Sequence, residues 1–144
     1  MSAMIDIHDV RWWYWLATAL LLGVALIAGS PLGIPLAVAL AVVQVLHFGA
    51  RDGATSFPAQ VRVAYLAILI AGGVPGLGVL HWIQLFGTTA MVTVGYCPLA
   101  RCLSLLPWNR RGPLDLAALR RAFLTPPVRG SILSTTDSPA RPAT

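Results

Sequence analysis

Charged residues are scarce in this sequence, and their scarcity excludes an ordinary soluble domain. Only 10% of the 144 residues are charged, whereas 57% are hydrophobic. A soluble domain carries about 25% charged residues, because its surface must be covered by groups that water solvates. A chain of this composition and of single-domain length is therefore expected to have lipid as its solvent.

Lysine and glutamate are absent, so arginine and aspartate carry every charge. Ten basic residues against five acidic ones give a formal net charge of +5. Such an excess occurs in nucleic-acid-binding proteins, but arginine also collects on the cytoplasmic side of membrane proteins, opposite anionic headgroups. The bilayer explains the excess better in so apolar a chain, and we predict no nucleic-acid partner.

Groups that carry chemistry are equally few. Two cysteines cannot form a disulfide framework or a four-ligand zinc site. The apolar runs contain no paired carboxylates, no serine beside a base and no phosphate-binding glycine loop. The intramembrane carboxylates of proton pumps are missing as well. These absences argue against an autonomous enzyme or transporter, and the sequence requires no cofactor.

Apolar runs make up most of the first 106 residues. A helix needs about 20 residues to cross ~30 Å of hydrocarbon, and breaks at "GSPLG", "RDGATS" and "GGVPGLG" leave four runs. The predicted fold class is all-α and integral to the membrane, with four transmembrane helices in two hairpins. The expected spans are 12–29, 33–50, 57–73 and 79–97, the last with an interfacial continuation to 106. The third span is short, and a re-entrant segment is its alternative.

The distribution of charge predicts the orientation of these spans. Every arginine and aspartate lies in the N-terminal tail 1–11, in the 51–62 loop or from Arg101 onward, while the hairpin turns carry none. Four spans place these regions on one side, which the positive-inside rule makes cytoplasmic. The start, "MSAMIDIHDVR", contains two aspartates and does not read as a signal peptide. We expect a bacterial inner-membrane protein with both termini in the cytoplasm.

Aromatic residues mark the expected ends of the membrane segment. Trp12, Trp13 and Trp15 follow directly after Arg11, and Trp108 follows the last apolar run. Amphipathic rings of this kind lie at headgroup level in membrane proteins. We therefore expect these four tryptophans to contact the membrane or a partner.

The basic segment 107–124 is expected to lie at the cytoplasmic interface. Its second half, "GPLDLAALRRAFL", has leucines on one side and arginines on the other, which predicts a short amphipathic helix on the membrane surface. The arginines expected to contact the membrane or a partner are Arg110, Arg111, Arg120 and Arg121. The tail 125–144 is rich in proline, serine and threonine and is expected to be flexible.

Two histidines inside or beside the apolar runs are candidate cofactor ligands. His47 and His81 each have a glutamine three residues away, Gln44 and Gln84, which places it on the same side of the helix. Either histidine could bind a haem or a chlorophyll-type pigment, or serve a polar structural role. The predicted topology separates the two rings by about 20–25 Å, so they cannot share one iron.

The two cysteines flank the expected end of the fourth span. Cys97 precedes Pro98, which cannot continue a helix without losing a hydrogen bond, so a kink or an end is predicted there. Cys102 lies five residues on, about 140° around a helix, so a disulfide between the two is not expected. Cys97 is the candidate for thiol chemistry because an interfacial position would leave it reachable; the alternative is that it is an ordinary apolar residue.

The stretch 57–106 contains "QVRVAYLAILIAGG" followed by "GTTAMVTVGYCPLARCLSLLP". It resembles the YgaP-like inner-membrane transmembrane domain, in which an arginine opens one helix and a glycine-rich second helix ends in Cys-Pro-Leu. Arg62, Cys97, Pro98 and Leu99 occupy the matching positions. The extra N-terminal hairpin, the arginine-rich tail and the lack of a fused rhodanese domain are departures. Where a sulfurtransferase is attached, the family implies thiol or persulfide handling, which would fall on Cys97 here.

The leading prediction is a non-catalytic, multi-pass membrane protein that serves as an accessory or assembly subunit of a larger membrane complex. Small residues at Gly33, Ala37 and Ala41 would let another helix approach closely in lipid. The expected partners are the bilayer and other membrane subunits. The alternatives are a thiol- or persulfide-handling protein using Cys97 and a haem- or pigment-binding subunit using one of the two histidines.

Overall fold

A computed structural model describes residues 6–127, and this part of the chain is helical with no strand. The all-α prediction is therefore confirmed. The helices are α1 (Val10–Leu26), α2 (Gly33–Asp52), α3 (Phe57–Ala71), α4 (Val79–Val94), α5 (Pro98–Ser104) and α6 (Leu116–Leu124).

Side-chain caps explain where three of these helices begin. The side chains of Asp9, Ser56 and Asp115 accept hydrogen bonds from backbone N–H groups in the first turns of α1, α3 and α6. Each cap satisfies a donor that the helix itself cannot reach. The predicted starts at 33, 57 and 79 agree with the structure, whereas α3 and α4 end two and three residues earlier than expected.

Helix α4 ends at a sharp break, which agrees with the kink or end predicted before Pro98, and a separate helix, α5, follows it. Gly95 adopts a left-handed conformation (φ 73°) and donates to the Met91 carbonyl, and the next N–H, of Tyr96, donates to Ala90. The bond from Gly95 to Met91 closes α4 as an αL C-cap motif does. Pro98 then stands in the first turn of α5, whose axis turns by 98° from that of α4. The left-handed glycine, ahead of the proline, sets the position of the break.

The first four helices form a bundle in which neighbours run antiparallel. Helix α1 packs on α2 and α4, and α3 packs on the same two helices. Gly33 at the start of α2 lies against Ala25 near the end of α1, and Trp12 near the start of α1 donates to Val92 near the end of α4. The turns 27–32 and 72–78 therefore lie at one end, here called the turn end.

The opposite end, here called the charged end, contains the start of α1, the loop between α2 and α3, and helices α5 and α6. The arginines and aspartates of the described residues all fall in segments at or beside it, and the two turns of the turn end contain none. Most of this charge lies outside the bundle, but Arg62 lies inside it. The predicted grouping of charges on one side is consistent with this arrangement.

The bundle core comes from residues spaced three or four apart on each helix. Its buried apolar members are Trp15, Leu22, Ala37, Ala41, Val61, Tyr65, Leu69, Leu85 and Val92. The small-residue stripe of α2 is part of this core, since Gly33, Ala37 and Ala41 are all buried. The stripe therefore serves contact within the chain, which differs from its expected use against another protein.

The outward faces of the same helices are apolar. Exposed large side chains on α1 to α4 include Leu20, Val24, Leu36, Val43, Leu46, Val63, Ile70, Ile83 and Phe86. By length and composition, one helix of the described part, α2 with 20 residues, can cross a membrane. Helices α4 and α5 meet the same criterion only as a bent pair, and α1 and α3 are shorter apolar helices.

Candidate functional site

His47 lies on the outer surface of the bundle near the charged end. Its Nδ1 shares a 2.9 Å hydrogen bond with the hydroxyl of Tyr14, and its ring stacks on that of Phe48 at a centroid distance of 5.0 Å. The ring is exposed, whereas Gln44 is buried, so the two do not lie on one face as expected. His47 is accessible to a ligand arriving from outside the bundle.

His81 is buried and is held by the neighbouring helix. Its Nε2 lies 2.9 Å from the Leu69 carbonyl, which can only accept, so Nε2 carries the proton. A Cβ on Gly72 would come within 2.5 Å of the ring, so the glycine makes room for it. Metal ligation through Nε2 would break the contact with Leu69, and the geometry favours the structural role.

The structure does not bring the two histidines together. His47 contacts Tyr14 at the start of α1, and His81 contacts Leu69 near the end of α3. In the antiparallel bundle these partners lie at opposite ends, as the sequence predicts. Among residues 6–127, no three His, Cys, Asp or Glu side chains are grouped as a metal site requires.

Two glutamines lie in the interior with one hydrogen-bonding atom each unused. Gln44 Nε2 donates to Thr18 Oγ1 at 3.2 Å, and Gln84 Nε2 donates to the Tyr65 carbonyl at 2.8 Å. Both Oε1 atoms are buried without a partner. The Thr88 hydroxyl donates to the main-chain carbonyl of Gln84. The Tyr65 hydroxyl must therefore donate to the Thr88 hydroxyl, at 2.8 Å. The interior is thus polar at mid-depth but carries no charge there.

Cys97 caps α5 instead of presenting its thiol to solvent. Its Sγ accepts the Ala100 N–H at 3.4 Å and the residue is half-buried, whereas Cys102 is exposed. Both cysteines are free, which agrees with the predicted lack of a disulfide between them. The expectation that Cys97 is the more reachable thiol is therefore wrong, because the α4–α5 break folds it under the start of α5.

The Arg101 side chain of α5 is buried and holds the C-terminal end of α6 through hydrogen bonds. It is 3% exposed, and its Nη1 and Nη2 donate to the carbonyls of Ala122 and Pro126 at 2.6 and 3.1 Å. Its guanidinium also lies 4.2 Å from the centre of the Tyr96 ring. A cation at these carbonyls satisfies the end of α6 and complements its dipole.

The four tryptophans that were expected to contact the membrane or a partner lie in three different environments. Trp13 and Trp108 are exposed, as an interfacial position requires, and Trp12 is half-buried. Trp15 differs from the expectation: it is 5% exposed and packs edge-on against Tyr65. It shares the inner face of α1 with Thr18 and Leu22, which are also buried.

The basic segment after α5 is anchored through a residue that sequence reasoning missed. Trp108 Nε1 and Asn109 Nδ2 both donate to Gln60 Oε1, at 3.1 and 2.8 Å. Beyond this anchor, three of the four arginines predicted to contact the membrane are exposed and one, Arg110, is half-buried; the exposed ones are Arg111, Arg120 and Arg121. Of the expected flexible tail 125–144, residues 128–144 lie outside the described part.

Arg62, like Gln60, is not among the site residues predicted from the sequence. It is 5% exposed, and its Nη1 donates to the Pro58 carbonyl at 2.9 Å. The guanidinium lies 3.5 Å from the centre of the Phe48 ring and 5.5 Å from that of Trp15. A sequence signal existed, because Arg62 precedes Tyr65 by three residues and Leu69 by seven, which places it on the buried face.

Comparison with known proteins adds no relative: a scan against protein-family models, a search of curated proteins and a search of solved structures each find no match.

Proposed function

We propose that this chain is a multi-pass membrane protein in which α1 to α4 cross a bacterial inner membrane and the charged end faces the cytoplasm. The observation that carries this proposal is the apolar outer surface of the bundle, which is combined with polar side chains in its interior. The outward side chains are large and apolar, while the interior contains Gln44, Gln84 and Thr88. Lipid is the solvent that this arrangement suits, because apolar faces need no cover there and polar groups pair inside.

The turn end supports the same placement. Helices of 15 to 17 residues span only about 22–25 Å, which is less than ~30 Å of hydrocarbon. The turns compensate with exposed apolar residues, Ile27 and Leu32 in one and Val74 and Leu77 in the other. These side chains extend the apolar belt, and local thinning of the bilayer would accommodate the remaining mismatch.

Within the membrane, we propose that the protein acts as an accessory or assembly subunit. Helix α6 supports this role, since Leu116, Leu119 and Phe123 are exposed and share one side of the helix, whereas Arg121 projects from the opposite side and Arg120 from the edge between them. Such a helix rests its apolar side on the bilayer surface. Arg121 then points to the cytoplasm, where it is available to an acidic partner subunit, and Arg120 lies at the level of the headgroups.

The thiol-handling alternative has one observation in its favour. Burial raises the pKa of the Cys97 thiol, whereas the positive charges of Arg62 and Arg101, the first of which the YgaP-like resemblance pairs with Cys97, act in the opposite direction. The capped, half-buried thiol argues against this alternative. For the pigment-binding alternative, His47 is the better ligand because it is exposed and His81 is already engaged.

Topology is tested by labelling single cysteines in intact cells with a membrane-impermeant maleimide. In a Cys97→Ser, Cys102→Ser background, Pro31→Cys and Pro75→Cys, at exposed turn positions outside the apolar belt, report on the turn end and Leu114→Cys on the charged end. The first two are expected to react in intact cells, and the third only after permeabilisation. The opposite pattern, or a protein that stays monodisperse without detergent, would contradict the proposed membrane placement.

Function is tested on protein purified in mild detergent. Stoichiometric partners that co-purify, without a visible absorption band, support the accessory role. A Soret or chlorophyll band that is lost in His47→Ala would instead establish the pigment role. A persulfide mass on Cys97 would establish thiol handling.

A further inference from the structure

Arg62, where α1, α2 and α3 meet at the charged end, is buried and has no counterion among residues 6–127. Arg62 packs its guanidinium on the face of Phe48, with Trp15 on another side. Arg11 of α1 approaches the same Phe48 ring at 5.9 Å. Two cations thus converge on one aromatic ring, although like charges repel each other.

The carboxylates of the described residues near this junction are already engaged elsewhere. Asp9 lies 3.8 Å from Arg11, and Asp52 lies 3.7 Å from Arg51. Arg62 interacts electrostatically with both aspartates, but neither lies within ion-pair distance of it. After these two pairs are formed, the positive charge of Arg62 is left over.

Hydrogen bonding at the junction is incomplete as well. The Nε atoms of Arg62 and of Arg11 are buried and have no hydrogen-bond partner within the described residues. Burying an arginine without a counterion carries a large desolvation penalty, and a cation–π contact such as that with Phe48 offsets only part of it. An anion from outside the chain would supply both the missing charge and the missing acceptors.

The depth of the site suits a particular class of anion. Arg62 is the sixth residue of α3, and its side chain turns back to the Pro58 carbonyl, one helical turn nearer the charged end. If the bundle spans the membrane as proposed above, this position is that of the headgroups of the cytoplasmic leaflet. Arginines with long stems reach that level from within the hydrocarbon.

We propose that the junction of Arg11, Arg62 and Phe48 binds a phosphate group, supplied by a phospholipid headgroup. Guanidinium groups recognise phosphate through pairs of parallel hydrogen bonds and a full opposite charge. Both guanidinium groups lie within 5.9 Å of the centre of the Phe48 ring, so the negative charge of one phosphate at this junction would offset their mutual repulsion. This inference rests on the proposed membrane placement for the source of the phosphate, since a free phosphate ion has the same chemistry.

Thermal unfolding of delipidated protein in a nonionic detergent tests the site. The probes are short-chain phosphatidylglycerol, diacylglycerol with the same chains, and sodium phosphate against sodium chloride at equal ionic strength. We expect phosphatidylglycerol to raise Tm and diacylglycerol to leave it unchanged. An equal rise with sodium phosphate would identify the free ion as the source. No rise with either phosphate probe would overturn the proposal.

Matched variants separate this site from the general positive charge of the same end. Arg11→Gln should weaken the apparent affinity for the phosphate probe about tenfold, since it removes a charged hydrogen-bonding partner. Arg51→Gln removes the same charge from the same end and should leave that affinity unchanged. Equal losses in the two variants would overturn the proposal, because they would indicate only long-range electrostatics.

Arg62→Met keeps the length of the apolar stem and should abolish the phosphate-dependent rise in Tm. If this variant does not fold, Arg11→Gln against Arg51→Gln still decides the question. Failure of the site is distinguishable from failure of the membrane placement. A protein that requires detergent and labels as expected, but does not respond to phosphate, contradicts the site alone.

Discussion

The two hairpins of the bundle bring their helices together in different ways. In the α1–α2 hairpin the contact at the turn end is between small groups, with Gly33 seated directly on Ala25 and the Leu21 carbonyl. In the α3–α4 hairpin the corresponding contact is a hydrogen bond, from His81 to the Leu69 carbonyl over Gly72. Both contacts depend on a glycine, which is the first residue of α2 in one hairpin and the residue just after α3 in the other.

The same contrast continues at mid-depth. Gln44 reaches only the Thr18 side chain in the first hairpin, whereas Gln84 reaches the Tyr65 backbone carbonyl in the second, with the Tyr65–Thr88 hydrogen bond beside it. The first hairpin is therefore held mainly by close packing and the second mainly by polar contacts to the backbone. In the membrane placement proposed above, both are means by which helices associate without a hydrophobic driving force.

The largest expected effect comes from disturbing the packed hairpin. Gly33→Ala would place a Cβ 2.6 Å from that of Ala25 and 2.7 Å from the Leu21 carbonyl. Because the backbone of α1 must move to admit it, we expect a loss of about 1–3 kcal/mol in the free energy of unfolding. The loss is measured by titrating protein in mild detergent with a denaturing detergent.

Gly23→Ala is the matched control, since its Cβ would meet nothing within 4 Å. It should be neutral or stabilise by about 0.5–1 kcal/mol through helix propensity. Equal effects of the two substitutions would show that the α1–α2 hairpin does not depend on close approach at Gly33.

A smaller effect is expected in the polar hairpin, because a side chain can move where a backbone cannot. Gly72→Ala would push the His81 ring off the Leu69 carbonyl and cost about 1–2 kcal/mol, as a buried hydrogen bond is lost. In a His81→Ala background the same substitution meets no ring, so its cost should largely disappear. If Gly72→Ala lowered the free energy of unfolding equally in the His81→Ala background, the steric clash would not be with the His81 ring.

The smallest losses in the free energy of unfolding are expected from substitutions of Gln84 and Gln44. Their ranking tests the difference between the two hairpins. Gln84→Leu removes a donor to a backbone carbonyl and should cost about 1 kcal/mol. Gln44→Leu loses a longer bond to a threonine and removes an unpartnered Oε1, so it should lie within about 0.5 kcal/mol of the parent. A larger loss for Gln44→Leu, in the same unfolding assay, would contradict this ranking.

The elements of the bundle could be predicted from sequence because their signals are local. Apolar runs and glycine- and proline-rich breaks fix the starts of α2 and α4, and the Ser56 cap fixes the start of α3. The same local reading assigned Trp15 to the interface because it grouped the residue with its neighbours Trp12 and Trp13. Helical periodicity would have placed Trp15 on the buried face with Thr18 and Leu22.

Other features could not be predicted, because they join distant segments. Gln60 receives hydrogen bonds from Trp108 and Asn109, 48 and 49 residues away. Arg101, in the helix that a 98° break turns away from α4, finds its acceptors 21 and 25 residues later at Ala122 and Pro126. No periodicity relates these partners, so only the folded arrangement of the charged end reveals them.

The clamp between Arg101 and α6 has a consequence for biogenesis. A ribosome delivers α5 first, and the carbonyl acceptors of this guanidinium exist only after residues 122–126 have emerged. Until then the arginine must stay hydrated, so α5 cannot take its final place. A nascent chain that stalls between α5 and α6 would leave Arg101 and the uncovered side of α5 accessible to the proteases of cellular quality control.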